Sequence, residues 1–181
     1  MKKNIYTIFF LLLISLTKTF ASEGEKVIQY EVVVNAEVSE VYETWTTPEG
    51  IKTFFAPECE VELKLFGSYH IYFNPQNPVG TKGAEDEMII SFQKNKMLSF
   101  TWGFPPVLPD LRDNQKTIVT LRFEDLGNNK TKIVFTQSGW GEGEDWDKGY
   151  GYFEKAWKDI VFKNLVDRFE NGPIDWNSLS E

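Results

Sequence analysis

From Asp145 to Phe169 large apolar residues recur at helical spacing: Trp146, Tyr150, Phe153, Trp157, Ile160, Val161, Leu165 and Phe169. A stripe this bulky needs a broad apolar surface to cover it, so the rest of the chain must supply a sheet. Gly139, Gly141 and Gly143 break regular structure ahead of the stripe, and Asn171, Gly172 and Pro173 stop it. A helix of about 25 residues is roughly 37 Å long at 1.5 Å per residue, enough to cross a small domain. Glu142, Glu144, Asp145 and Asp147 gather at its amino end, where capping and the helix dipole favour negative charge. Capping explains them more simply than a calcium loop, whose closing glutamate would have to be Glu154, inside the helix.

The preceding chain alternates as strands do. Residues 27–36, VIQYEVVVNA, are β-branched and read as a strand. Glu37 to Thr47 carries Val38, Val41, Tyr42 and Trp45 at helical spacing, and Pro48 opens a second short helix, Glu49 to Phe55. Cys59, Val61 and Leu63 then alternate with glutamates, and after a turn at Gly67 and Ser68 the residues Tyr69, Ile71 and Phe73 point inward. Asn74 to Gly83 is a long loop. Glu87–Phe92 and Met97–Gly103 form a hairpin around Lys94, Asn95 and Lys96. The prolines of Phe104 to Asp110 exclude regular structure there, and Thr117–Glu124 with Lys130–Ser138 makes the last hairpin. Gly149 and Gly151 are disfavoured inside a helix, which implies a close approach to the sheet or to a ligand. Trp176 is placed to pin the polar tail back to the body.

The amino terminus reads as a secretory signal peptide, residues 1–21: Met1, Lys2 and Lys3, an apolar run from Ile5 to Leu16, and a small residue, Ala21, at the cleavage point. That run is too short to span a bilayer. The expected mature domain, 22–181, is therefore exported, periplasmic or secreted, with no stable membrane insertion after processing. Cleavage removes Lys2, Lys3 and Lys18 and no acidic residue, moving the formal charge from -8 to -11. Such a surface repels nucleic acid and anionic lipid. The length fits a single domain. Cys59 stands alone, so no internal disulfide forms, and its alternation with Val61 marks a buried small hydrophobe. His70 is the single histidine and faces solvent, which leaves no ligand set for a metal.

The segments WTTPEGIKTFF (45–55), FGSYHIYF (66–73), MLSFTW (97–102) and TKIVFTQSGWGEGEDWDKGYGYFEKAW (131–157) together resemble the START-like, or SRPBCC, superfamily, in the branch of bacterial domains related to the activator of heat-shock-protein ATPase. The resemblance spans nearly all of 28–176. It implies an α+β helix-grip fold, in which a curved antiparallel sheet of about six to seven strands wraps a long C-terminal helix, with two short helices after the first strand. Two positions depart from the pattern. Phe66 stands where relatives often have a second glycine, and Gln137 where many carry a histidine, which removes a titratable group from the pocket mouth.

The fold so implied leaves a cavity between sheet and helix, and the aromatic inventory suits an apolar ligand. Tyr69, Ile71, Phe100, Trp102, Phe104, Gln137, Trp140, Tyr150, Phe153 and Trp157 are the expected ligand-binding residues. The expected function is binding of a hydrophobic small molecule or lipid-like ligand without a cofactor, metal or catalytic residue. The alternatives are an enzyme of cyclase or hydratase type using pocket-mouth carboxylates, and a co-chaperone-like protein-binding domain. No nucleophile triad, phosphate loop or dinucleotide fingerprint is present.

Overall fold

The computed structural model describes residues 25–179; the expected signal peptide lies outside the described residues. β1 (Ile28–Val34) leads into α1 (Val38–Thr46) and the single-turn α2 (Pro48–Ile51). The junction is chemical: the Thr47 hydroxyl accepts from the Gly50 N–H at 3.0 Å, and Pro48 follows in the first turn, where its missing N–H costs nothing. α2 ends at Ile51, short of the expected Phe55, and tight turns carry Phe54 and Phe55 into the core.

The strands β2 (Glu58–Val61), β3 (Tyr69–Tyr72), β4 (Gly83–Ala84), β5 (Ile89–Gln93), β6 (Met97–Trp102), β7 (Thr117–Asp125) and β8 (Thr131–Ser138) follow. They form an antiparallel five-stranded sheet in the order β1-β8-β7-β6-β5 and a three-stranded sheet, β2-β3-β4. The expected single sheet thus comes as two. Backbone bonds from Phe66 and Tyr69 N–H to Ile89 and Glu87 carbonyls, and from Ile89 N–H to Gly67, join them into one curved wall. Phe66 makes that join in the left-handed region, at φ +58°, with its ring 71% exposed. Leu63 and Phe73, expected to point inward, are exposed because β2 stops at Val61 and β3 at Tyr72.

The stretch read as irregular holds a short helix, α3 (Pro109–Asn114); Pro109 occupies its first turn and Leu111 is buried beneath it. Proline excludes helix interiors, not helix starts.

The long helix lies across the wall as α4 (Glu144–Ala156), a π-helical turn (Trp157–Phe162) and α5 (Lys163–Asn171). The π-turn holds one more residue than an α-turn, so the buried face slips by one. Ile160, expected in the stripe, is 58% exposed, and Phe162 takes its place in the core. Trp157 meets Trp102, Phe135 and Phe55 at ring separations of 5.1, 4.8 and 5.8 Å, contacts worth about 0.5–1.5 kcal/mol each beyond area burial. Gly149 has the expected close approach: a Cβ there would lie 2.8 Å from Phe104 Cε1, whereas one at Gly151 meets nothing within 4 Å. The Trp176 indole donates to Lys52 O at 2.6 Å, pinning the tail as expected.

The acidic residues at the start of α4 make no side-chain cap; Gly143 is the N-cap, and Lys148 pairs with Glu144 and Asp145 at 2.9 and 3.1 Å. Among the described residues no helix is long and apolar enough to cross a membrane.

Candidate functional site

The structure distributes the ten expected ligand-binding residues over three environments. Tyr69, Ile71, Phe100, Gln137 and Trp157 lie in a filled core, fully or nearly fully buried. Tyr69 stacks on Phe100 at 4.2 Å and donates to Trp45 O at 3.0 Å; burial pushes its phenol well above the usual range. Gln137 bridges the core: its Nε2 donates to Thr117 Oγ1 and its Oε1 accepts from the Trp157 indole, both at 2.8 Å, while Thr117 Oγ1 donates on to Trp102 O. Its side chain is thus spent within the fold. Trp140 and Tyr150, 5.1 Å apart, cover the amino end of α4; their polar tips donate to Gln137 O and Val27 O. Of the ten, Trp102, Phe104 and Phe153 line the cavity between the long helix and the sheet.

That cavity, about 390 Å³, opens at one end of the domain between the long helix and the loops after β3 and β6. One wall is apolar: Trp102, Phe104, Phe153, Ala156 and Val161, with Tyr152 and Ile160 at the mouth. Asn74, Thr81, Glu87 and Arg112 add polar groups to the lining, Glu87 directly beside Gly103 between Trp102 and Phe104. Phe73, 41% exposed, also lines the opening. A more open groove of about 530 Å³ runs along Tyr30 and Val32 on the far side of the helix, rimmed by Glu31, Lys158, Lys163, Asp167 and Glu170.

Glu87 is 1% exposed. Its Oε1 accepts from Gly103 N at 2.9 Å and Lys116 Nζ at 2.8 Å, and its Oε2 from Thr101 Oγ1 at 2.7 Å; Lys116 also reaches Asp86 at 2.6 Å. A buried carboxylate needs such compensation. Arg112, presented by α3, donates to the carbonyls of Phe104, Gly80 and Gly83 at 2.7, 3.0 and 2.9 Å, fastening both loops of the mouth. Burial opposes ionisation of Glu85, but the N–H groups of Gly80, Lys82 and Gly83 and the charge of Arg112 outweigh it and hold its carboxyl below the usual range. Sequence reasoning missed Glu87 and Arg112. The first sits in a run of acids that reads as surface, and the second on the helix hidden by the prolines.

Cys59 is half-buried rather than buried, with Sγ 3.6 Å from Pro48 O, and burial pushes its thiol up to about 11. His70 lies 3.6 Å from Glu60. Among the described residues no group of three or more His, Cys, Asp or Glu side chains is arranged to hold a metal ion.

A family model described as Activator of Hsp90 ATPase homolog 1-like protein matches residues 35–170, well over half of the chain. The chain belongs to that family. Solved members of the same fold include a protein of Mesorhizobium loti, 17% identical with a TM-score of 0.64, covering 82% of this chain and 100% of that one. The Aha1 dimer of Colwellia psychrerythraea is 21% identical at a TM-score of 0.59, covering 81% and 98%. An HSP90 activator of Plasmodium falciparum is 16% identical at 0.59, also covering 81% and 98%. At these identities the likeness is one of fold. No curated protein matches the sequence.

Proposed function

We propose that this family member is an exported binding domain that holds a hydrophobic small molecule in the cavity between the sheet and the long helix, without transforming it. The cavity carries the reading: about 390 Å³ falls within the roughly 300–1,000 Å³ common to small-molecule sites, and a mostly apolar lining carries a few polar groups. Apolar side chains left in solvent at its mouth fit entry of an apolar guest. Export is supported by the charged start, short apolar run and Ala21 of the sequence.

The neutral fluorophore N-phenyl-1-naphthylamine should bind saturably to the purified mature domain. Ala156→Phe, which puts a ring into the cavity from the helix, should abolish that binding without lowering the denaturation midpoint. Non-saturable fluorescence, or full binding by the variant, would remove the ligand reading. For export, the intact mass of protein recovered outside the cytoplasm should place the mature amino terminus within a few residues of Ser22. A second reading, a protein partner, is favoured by the Plasmodium falciparum neighbour, described as an HSP90 activator. A rise in chaperone ATPase turnover on adding the mature domain would rank that reading first.

A further inference from the structure

The cavity's polar wall has an unusual charge arrangement. The buried charges in or directly behind it are paired, Glu87 with Lys116 and Arg112 with the nearby Glu85, and the surplus negative charge falls on Asp86, which shares Lys116 but is 74% exposed to solvent. The wall nevertheless retains hydrogen-bonding capacity. A guanidinium has five N–H donors and Arg112 spends three on main-chain carbonyls; a carboxylate has about four acceptor sites, and Glu87 has three filled. An acid entering here would find Arg112 but also face Glu87. An ammonium would find Glu87 but also face Arg112 and Lys116. In either case an ion would leave water without an uncompensated partner, which is costly in a largely apolar pocket. A hydroxyl or carboxamide, able to give and take hydrogen bonds without bringing charge, meets both remaining capacities at once.

We infer that the cavity selects an uncharged amphiphile: a ring system or chain of hydrocarbon character, lying on Trp102, Phe104 and Phe153, that turns a hydroxyl or carboxamide toward Glu87 and Arg112. This inference rests on the cavity being a ligand site. It narrows the guest to neutral donor-acceptor compounds and sets aside fatty acids, organic phosphates and amines.

Four compounds sharing one ring test it at pH 7: 2-naphthalenemethanol, naphthalene-2-carboxamide, 2-naphthoate and 2-(aminomethyl)naphthalene, the last two ionised. Titration calorimetry on the mature domain should find the alcohol and the carboxamide binding at least tenfold more tightly than either ion. If the carboxylate or the ammonium equals or exceeds the neutral pair, the inference is wrong. It is equally wrong if N-phenyl-1-naphthylamine binds but none of the four does, because the polar wall then recognises nothing. Should N-phenyl-1-naphthylamine and all four compounds fail alike, the underlying binding reading falls with it, a distinguishable outcome. Glu87→Gln removes one negative charge and leaves Lys116 with Asp86 alone. The carboxylate should then gain affinity relative to the alcohol by tenfold or more, with an unchanged melting profile showing that the variant is folded. An unchanged preference in a folded Glu87→Gln variant would overturn the role given to this wall, and the wild-type panel decides should that variant fail to fold.

Discussion

Replacing Gln137 by leucine probes the buried bridge beneath the long helix. Leucine is close to glutamine in volume, so the packing loss is small. The main-chain carbonyl that receives the Trp140 indole is untouched, and Thr117 Oγ1 keeps its bond to Trp102 O. What is lost is the acceptor for the Trp157 indole, which lies 2.8 Å away with Trp157 only 1% exposed. An orphaned buried donor costs about 1–3 kcal/mol. A loss of about 2 kcal/mol corresponds to roughly 4–8 °C in Tm for a domain of this size. Trp157→Phe removes the donor itself, so the double variant Gln137→Leu/Trp157→Phe should be less destabilised than the sum of the singles by about 1 kcal/mol or more. Urea and thermal denaturation of the four proteins complete the cycle. Binding of N-phenyl-1-naphthylamine should be nearly unchanged in Gln137→Leu, since that side chain does not reach the cavity. A single variant costing under about 0.5 kcal/mol, with additive energies in the cycle, would refute the reasoning.

Phe66→Gly should raise stability by about 1 kcal/mol, because a bulky residue at φ +58° carries a left-handed penalty that glycine does not; Phe66→Ala, which keeps the Cβ, should show no such gain in the same urea titration. Gly149→Ala should lose about 1–3 kcal/mol through its collision with Phe104, while Gly151→Ala, in open space, should gain up to about 1 kcal/mol from helix propensity. Burial raises the Cys59 thiol from 9.0 to about 11. At pH 8 iodoacetamide should therefore modify the native protein about a hundredfold more slowly than a cysteine titrating at the ordinary value, with the rate climbing until pH passes that of the folded thiol. Equal rates for native and urea-unfolded protein would contradict the burial.

The hairpins, the two short helices, the long helix and the pinned tail were legible because each is set by local rules: period two, the helical period of about 3.6, proline and glycine punctuation. What escaped the reading depends on more than local pattern. A π-turn leaves no mark in hydrophobic periodicity until Phe162 is seen to be buried and Ile160 exposed. The helix α3 was masked by prolines that are compatible with its first turn. The site divided the same way. Trp102, Phe104 and Phe153 were recognisable from the sixth strand, the proline-rich stretch after it and the helical stripe. Tyr69, Phe100 and Trp157 share the same aromatic character yet pack against one another, and aromatic composition alone does not separate a filled core from a lined hollow. Glu87 and Arg112 are drawn to the cavity by hydrogen bonds to Thr101, Gly103 and distant carbonyls, contacts that appear only once the sheet closes.

The turn between Trp157 and Phe162 also bears on how the chain tolerates a change in its length. A residue removed from an α-helix rotates everything beyond it by about 100° and turns the buried face outward. Here the helix already holds one residue more than the α repeat requires. Removing an exposed residue of the turn, Asp159 or Ile160, lets the segment relax to ordinary α-helix while Leu165 and Val166 keep their bearing on the sheet. The equivalent shortening in α4, at Glu154 or Lys155, has no such reserve and swings Trp157 off Trp102 and Phe135. The long helix can therefore give up one residue at this place, beside the cavity wall formed by Val161, without losing its grip.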